Sequence, residues 1–170
     1  MSLSLIQRLN WQTESGEILD DDRRYLMMRT DVLMGGFRNL PAAAQRQAFL
    51  ALQQSVRDNG GKSVHAYFDS LNHNAGRLLE TMADFSAQVG WGVWSIQMQD
   101  GSLTVQVRNS PFAQGYGRST EPVCYAIAGM LEALGEVVLR GPVHVCETQC
   151  SAQGHAHCIL NATRTPDSSL

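Results

Sequence analysis

The 170-residue chain contains no cysteine before position 124, and all four of its cysteines follow from there. It also lacks an apolar run long enough to cross a membrane, and its first residues lack the basic stretch and apolar core of a secretory signal. Acidic residues outnumber basic ones, giving a formal net charge of -3, so the basic face of a nucleic-acid binder is not expected. We therefore expect a cytoplasmic protein that binds neither nucleic acid nor membrane.

What the chain does have is the composition of a globular domain. Its hydrophobic content is 44%, and 170 residues suffice for one domain with a sizeable core. No internal repeat, low-complexity tract or linker divides the sequence. We expect a single ligand-binding domain over residues 1–164, followed by a flexible tail at residues 165–170.

Helical patterns dominate the first half of the chain. A helix is expected over residues 20–37, because acidic residues suit its beginning and two consecutive glycines break it. A second helix is expected to open at Pro41 and to close at the Asp-Asn-Gly-Gly of residues 58–61. Apolar residues at helical spacing predict a third helix over residues 62–88.

The pattern changes to alternation in the second half. Alternating apolar residues on either side of the Asp-Gly pair at positions 100–101 predict a β-hairpin. A helix is expected over about residues 119–139, and two strands, at about residues 142–149 and 155–164, should follow it. This order indicates an α+β fold in which N-terminal helices pack on an antiparallel sheet.

Three of the four cysteines fall on the last predicted hairpin, together with a carboxylate and two imidazoles. Clustered cysteines in a reducing compartment favour metal or redox chemistry, although free cysteines are as often plain buried groups. Zinc is held by four ligands drawn from Cys, His and carboxylate side chains, and the hairpin can supply three of them. The candidates are Cys124 on the preceding helix, and Cys146, Glu147, Cys150, His155, His157 and Cys158.

Cys146 and Glu147 compete for one place in this ligand set. Neighbouring residues of a strand point to opposite faces, so both cannot bind one ion unless the strand bulges. Spacing alone favours Cys146, because sulfur is the commoner structural zinc ligand. Glu147, however, shares the face of two valines that look inward. The residues by themselves leave the choice open.

Several short motifs carry a resemblance to a known family. They are Arg108-Asn109-Ser110, Glu121-Pro122-Val123-Cys124, Ala128-Gly129-Met130-Leu131 and Glu147-x2-Cys150-x3-Gly154-x3-Cys158. These motifs resemble the 4-vinyl reductase domain, which occurs in bacterial phenol and xylene sensors, in hydrocarbon-binding proteins and in a bacteriochlorophyll vinyl-reduction protein. That domain is a structural cousin of TRAPP vesicle-tethering subunits. The resemblance covers about residues 90–164 well, and the region around Trp11 more weakly.

The resemblance implies a zinc ion held by Cys124, Glu147, Cys150 and Cys158. Four protein ligands leave no open coordination position, so this zinc is expected to be structural and to clamp the C-terminal helix to the final hairpin. Cys146 is then expected on the opposite face as a buried thiol, and His155 and His157 as an exposed turn pair. Backbone amides of residues 151–154 are expected to offset the negative charge of the ligands.

The resemblance also implies a hydrophobic cavity between the helices and the sheet. The residues expected to line it are His73, Phe85, Trp94, Val107, Phe112, Tyr116 and Tyr125. Aromatic-sensing relatives tend to carry a large aromatic residue where this chain has Val107, which argues against phenol itself as the ligand. The glycine-rich residues 112–117 are expected to form either a mobile lid or an ordinary loop.

Three functions fit these features. The first, which we favour, is a non-enzymatic sensor or carrier that binds a small hydrophobic or aromatic molecule and signals through an effector protein. The second is an accessory factor or reductase component in (bacterio)chlorophyll vinyl-group reduction, although no nucleotide or flavin motif supports reductase activity. The third is a TRAPP-like assembly scaffold. The resemblance further implies a homodimer, for which the apolar residues 26–28 and 32–33 would provide the surface unless they belong to the core.

Overall fold

The computed structural model describes residues 4–165, so the predicted tail at residues 165–170 lies outside the described residues except for Thr165. Thr165 donates its amide and hydroxyl hydrogens to the carbonyl oxygen of Pro142, at 2.9 and 3.0 Å. Across these described residues, no helix combines the length and the apolar character that a membrane crossing requires.

A small antiparallel sheet lies near the N-terminus. The helical turn α1 (Leu5–Arg8) precedes β1 (Asn10–Gln12), β2 (Glu17–Asp20) and β3 (Arg23–Tyr25), which pair in that order. The helix expected over residues 20–37 is therefore wrong in its first half, because Asp21 turns the chain between β2 and β3 with a positive φ of 56°. Its second half is a helix, and the two glycines expected to break that helix lie inside it.

A buried ion pair fixes this small sheet to the helices. Asp20 is only 2% exposed, and Arg8 donates hydrogen bonds to its two carboxylate oxygens at 2.9 and 3.0 Å. Arg8 also donates to the hydroxyl of Tyr67, at 3.1 Å. The hydrogen bonds from Arg8 hold the pKa of the Asp20 carboxyl below its usual range.

Replacing Asp20 with asparagine should flatten the acid side of the stability curve. Because the pKa of Asp20 is lower in the folded chain than in the unfolded chain, its stabilisation is fully present above the unfolded pKa of about 4. It is lost as the pH falls through the lower folded value. Urea unfolding at several pH values measures this loss, with exposed Asp84→Asn as the control. Equal acid sensitivity of wild type and Asp20→Asn would contradict the lowered pKa.

Three helices form the next layer: α2 (Thr30–Arg38), α3 (Ala42–Ser70) and α4 (Ala75–Gln88). The expected end of a helix at residues 58–61 is wrong, because α3 continues through them. A Cβ on Gly60 would lie 2.7 Å from Met130 Cε, so this glycine permits close packing instead of ending the helix. The helix expected over residues 62–88 is interrupted at Asn72 and His73, whose φ values are 53° and 57°.

The larger sheet contains four antiparallel strands in the order β4-β5-β7-β6. Its strands are β4 (Val93–Gln99), β5 (Ser102–Arg108), β6 (Val143–Gln149) and β7 (Cys158–Arg164), with α5 (Pro111–Tyr116) and α6 (Tyr125–Val138) between β5 and β6. The predicted hairpin at positions 100–101 is present, and both of its residues have positive φ. The helix expected from residue 119 begins only at Tyr125.

The core lies between α6 and the inner face of this sheet. Leu103, Val105 and Leu160 alternate with outward-facing residues on their strands, and all three are 0% exposed, as is Leu134 on α6. The long α3 packs against the other side of α6. The α+β class, with N-terminal helices and an antiparallel sheet, is therefore confirmed.

Candidate functional site

Four side chains from two separate parts of the chain meet at one end of the larger sheet. Cys124 precedes the first residue of α6, Glu147 belongs to β6, Cys150 follows β6, and Cys158 begins β7. Their ligand atoms all lie within 4.8 Å of one another. All three cysteines are 0% exposed. The structure thus brings together the four side chains that the family resemblance indicated.

An irregularity in β6 allows this arrangement. Glu147 pairs with Leu160 and Gln149 pairs with Ile159, so the register shifts by one residue between them. Such a bulge reverses the alternation of side chains, which returns Cys150 to the face of Glu147. A short 3₁₀ turn (Ser151–Gln153) and Gly154, at a φ of 97°, then lead the chain back into β7.

The distances between sulfur atoms fit a tetrahedral metal site. Cys124 Sγ lies 4.0 Å from Cys150 Sγ and 3.6 Å from Cys158 Sγ. In a tetrahedron with zinc–sulfur bonds of about 2.3 Å, neighbouring sulfurs are about 3.8 Å apart. A disulfide would require about 2.05 Å, and all of these cysteines are free.

The carboxylate of Glu147 supports the same interpretation. Its Oε2 accepts a hydrogen bond from the Cys124 amide at 3.0 Å, whereas its Oε1 is buried and has no hydrogen-bond partner among the described residues. Burial raises the pKa of Glu147 to about 7. An unpaired buried carboxylate oxygen is costly, and a cation beside three sulfurs would satisfy it. The donor set therefore fits a divalent metal ion.

Hydrogen-bond donors surround the sulfur atoms. The amide and the hydroxyl of Ser151 each lie 3.3 Å from Cys158 Sγ, and the hydroxyl of Ser110 lies 3.2 Å from Cys124 Sγ. Hydrogen bonds from the Cys124 and Cys150 thiols, with a further one from Ser151, lower the pKa of Cys158, whereas hydrogen bonds to these thiols and burial raise that of Cys124. Ser110 was missed as a sulfur contact, although it belongs to the Arg-Asn-Ser motif.

The other candidate ligands stay outside the cluster. Cys146 lies on the opposite face of β6, but it is exposed, so the expectation that it would be a buried thiol is wrong. His155 is exposed and His157 is partly exposed. Neither imidazole belongs to the group of possible ligands found among residues 4–165.

Two adjoining cavities lie between the small sheet and the helices. The first cavity, of about 310 Å³, is bounded by α1, the small sheet, α2, the end of α4 and the start of α5. The second cavity, of about 410 Å³, lies between α3, α4 and the start of β4. Tyr25, Leu26, Val89 and Trp91 line both cavities.

Three of the seven predicted pocket residues border these cavities. Phe112 lines the first cavity, and Phe85 and Trp94 line the second. The contribution of the small sheet, which includes Tyr25, was missed because its sequence was expected to begin a helix. Alternation in the short strands β1 to β3 extends over too few residues to signal them.

The remaining four predicted pocket residues lie elsewhere. Val107 and Tyr116 are buried in the core, at 1% and 8% exposure, and line neither cavity. Tyr125 stacks on Phe49, with ring centroids 4.8 Å apart. His73 is exposed in the turn before α4 and borders neither cavity.

Residues 112–117 are not the lid or open loop that their glycines suggested. Most of them belong to α5, whose side chains are largely buried. A Cβ on Gly115 would lie 2.4 Å from the carbonyl oxygen of Thr30, so this glycine allows α5 to pack tightly on the first turn of α2. The segment is therefore a fixed wall between the first cavity and the cysteine cluster.

Comparisons with known proteins agree on the fold. The phenol-responsive sensory domain of the transcription activator PoxR, solved with phenol, superposes with a TM-score of 0.79 at 18% identity, covering 94% of this chain and 86% of that domain. A vinyl-4-reductase family protein from Methanocaldococcus jannaschii gives a TM-score of 0.53 at 14% identity, covering 84% of this chain and 98% of that one.

A trafficking protein particle complex subunit 3 from Naegleria fowleri, covalently bound to palmitic acid, gives a TM-score of 0.51 at 11% identity, covering 81% of this chain and 95% of that one. No curated protein matches the sequence. The family model of the 4-vinyl reductase domain matches residues 103–164, a segment that contains all four residues of the cluster. Residues 103–164 of this chain therefore belong to the 4-vinyl reductase domain family.

Proposed function

We propose that this protein is a zinc-containing domain that binds a small hydrophobic molecule and acts as a sensor or carrier. The observation that carries the proposal is the pair of adjoining cavities, whose lining residues include several aromatic side chains and no charged one. Such walls favour an uncharged, largely apolar ligand. The fold likeness to a phenol-responsive sensory domain supports a sensing role.

Zinc is the metal we propose for the cysteine cluster. Three sulfurs and one carboxylate suit zinc, and four protein ligands leave no position for a reacting molecule. When bound, zinc would contribute a redox-inert crosslink between the start of α6 and the final hairpin. Cys124, Glu147, Cys150 and Cys158 would hold it, while Ser110 and Ser151 would offset the charge of the sulfurs.

A homodimer is the form in which we propose that the domain acts. Leu26, Met27 and Val32 are 79%, 73% and 59% exposed, so the alternative that this segment belongs to the core is wrong for these side chains. Large exposed apolar side chains that are contiguous in space are typical of an interaction surface. Transfer of the signal to an effector protein would then follow from ligand-dependent changes near the same segment, which also borders both cavities.

Native mass spectrometry of protein purified from its host tests this function. We expect a dimer of the 18.7 kDa chain, carrying one zinc ion per chain and a small apolar compound that organic solvent extracts. A bound tetrapyrrole, visible in the absorbance spectrum, would instead favour the vinyl-reduction alternative. Cavities that stay empty and take up no apolar compound would favour a scaffold.

A further inference from the structure

The first cavity contains a polar atom that the fold leaves unsatisfied. Gln88 is the last residue of α4, and its side chain borders this cavity. Its Oε1 atom is buried and accepts no hydrogen bond from the described residues. A buried amide oxygen without a partner costs free energy that folding does not recover, so its place in the cavity wall calls for an explanation.

The surroundings of Gln88 separate this atom from ordinary surface polarity. Most side chains around the first cavity are apolar, among them Leu9, Ile18, Val89 and Phe112. None of the lining side chains is charged. A molecule in this cavity would therefore meet apolar walls and a small number of polar groups, the arrangement that fixes the orientation of a bound ligand.

A comparison within the molecule points the same way. Among the described residues, only one other buried side-chain oxygen lacks a hydrogen-bond partner, and it is Oε1 of Glu147 in the cysteine cluster. That oxygen belongs to a group of side chains arranged to hold a metal ion. Gln88 Oε1 stands in the same relation to the first cavity, as an acceptor that the protein does not satisfy by itself.

We propose that Gln88 is a specificity-determining residue of the first cavity. Its Oε1 accepts a hydrogen bond from a hydroxyl or N–H group on a ligand that is otherwise apolar. This inference rests on the proposed ligand-binding function and adds to it the chemistry of the recognised group. A ligand without a donor would leave the oxygen unpaired, and would bind more weakly for that reason.

Two probes of nearly equal shape test the inference: 2-naphthol, which carries a hydroxyl, and 2-methylnaphthalene, which carries a methyl group in its place. Equilibrium dialysis against the full-length, metal-loaded protein measures both affinities. We expect wild type to bind 2-naphthol about tenfold more tightly, because one neutral hydrogen bond is at stake. Gln88→Leu, which retains the size of the side chain, should abolish this preference, whereas Gln97→Leu on the exposed face of β4 should keep it.

Each failure has its own signature. If both probes bind wild type equally, or if Gln88→Leu keeps the preference for 2-naphthol, the role of Gln88 is overturned while the proposed binding function stands. If neither probe binds wild type, the first cavity is not a site for small apolar molecules, and the inference falls with it. Circular dichroism of Gln88→Leu and Gln97→Leu shows that both variants are folded before the affinities are compared.

Discussion

Cys150→Ala is expected to abolish stoichiometric zinc binding and to lower the free energy of unfolding by about 3 kcal/mol or more. Cys150 lies at the end of β6, 0% exposed, with its sulfur 4.0 Å from that of Cys124. Its removal leaves three ligands for an ion that requires four. Because Cys124 and Cys158 come from different elements, the loss of the ion also releases α6 from the final hairpin.

Cys146→Ala is the matched control for this substitution. Cys146 lies only four positions away, but it is exposed on the opposite face of β6. The control variant should keep one zinc ion per chain and wild-type stability. Elemental analysis of the purified variants gives the zinc content, and urea unfolding gives the free energy. Zinc retained by Cys150→Ala, or lost equally by both variants, would contradict the proposed ligand set.

The larger sheet and its cysteines were accessible to sequence reasoning because their signals are local. The Asp-Gly turn of the β4–β5 hairpin sits between alternating residues, and both turn residues have the positive φ that such a turn requires. In the ligand set, the choice of Glu147 over Cys146 came from the family resemblance. Strand alternation alone could not settle it, because the bulge after Glu147 depends on pairing with β7.

Other features were inaccessible because they depend on contacts between distant segments. The glycines in α3 resemble a helix end in sequence, yet their function is to approach α6. Asp20 resembles a helix N-terminal residue, but its carboxylate is bound by Arg8 and ends a short strand. In both cases the tertiary partner outweighs the local preference, as is common for weak propensities. The cavities depend on the same misassigned small sheet, so four of the seven predicted lining residues lie elsewhere.

Gly129→Ala is expected to cost about 3 kcal/mol, close to the upper end for an inserted methyl group. Gly129 lies in α6, where a Cβ would be 2.2 Å from the carbonyl oxygen of Gln53 and 3.2 Å from the amide nitrogen of Arg57 on α3. Both are backbone atoms, which cannot rotate away as a flexible side chain can. The two helices must therefore move apart.

This movement would also strain the polar contacts that join the two helices. Gln53 Nε2 donates to Glu132 Oε1 at 2.7 Å, and Arg57 forms an ion pair with Glu136. Gly36→Ala is the matched control, because no atom lies within 4 Å of its added Cβ and the residue is exposed in α2. The control should gain about 0.5–1 kcal/mol from the lower backbone entropy of alanine.

Urea unfolding of the metal-loaded proteins measures both changes on the same scale. If the long helix and α6 are in backbone contact at Gly129, the two Gly→Ala substitutions must shift stability in opposite directions, even though both replace a helical glycine. Helix propensity alone predicts a gain at both positions. A stabilised Gly129→Ala would therefore show that α3 does not approach α6 this closely. It would also remove the reason why glycine, and not alanine, occupies this position of the segment that matches the family model.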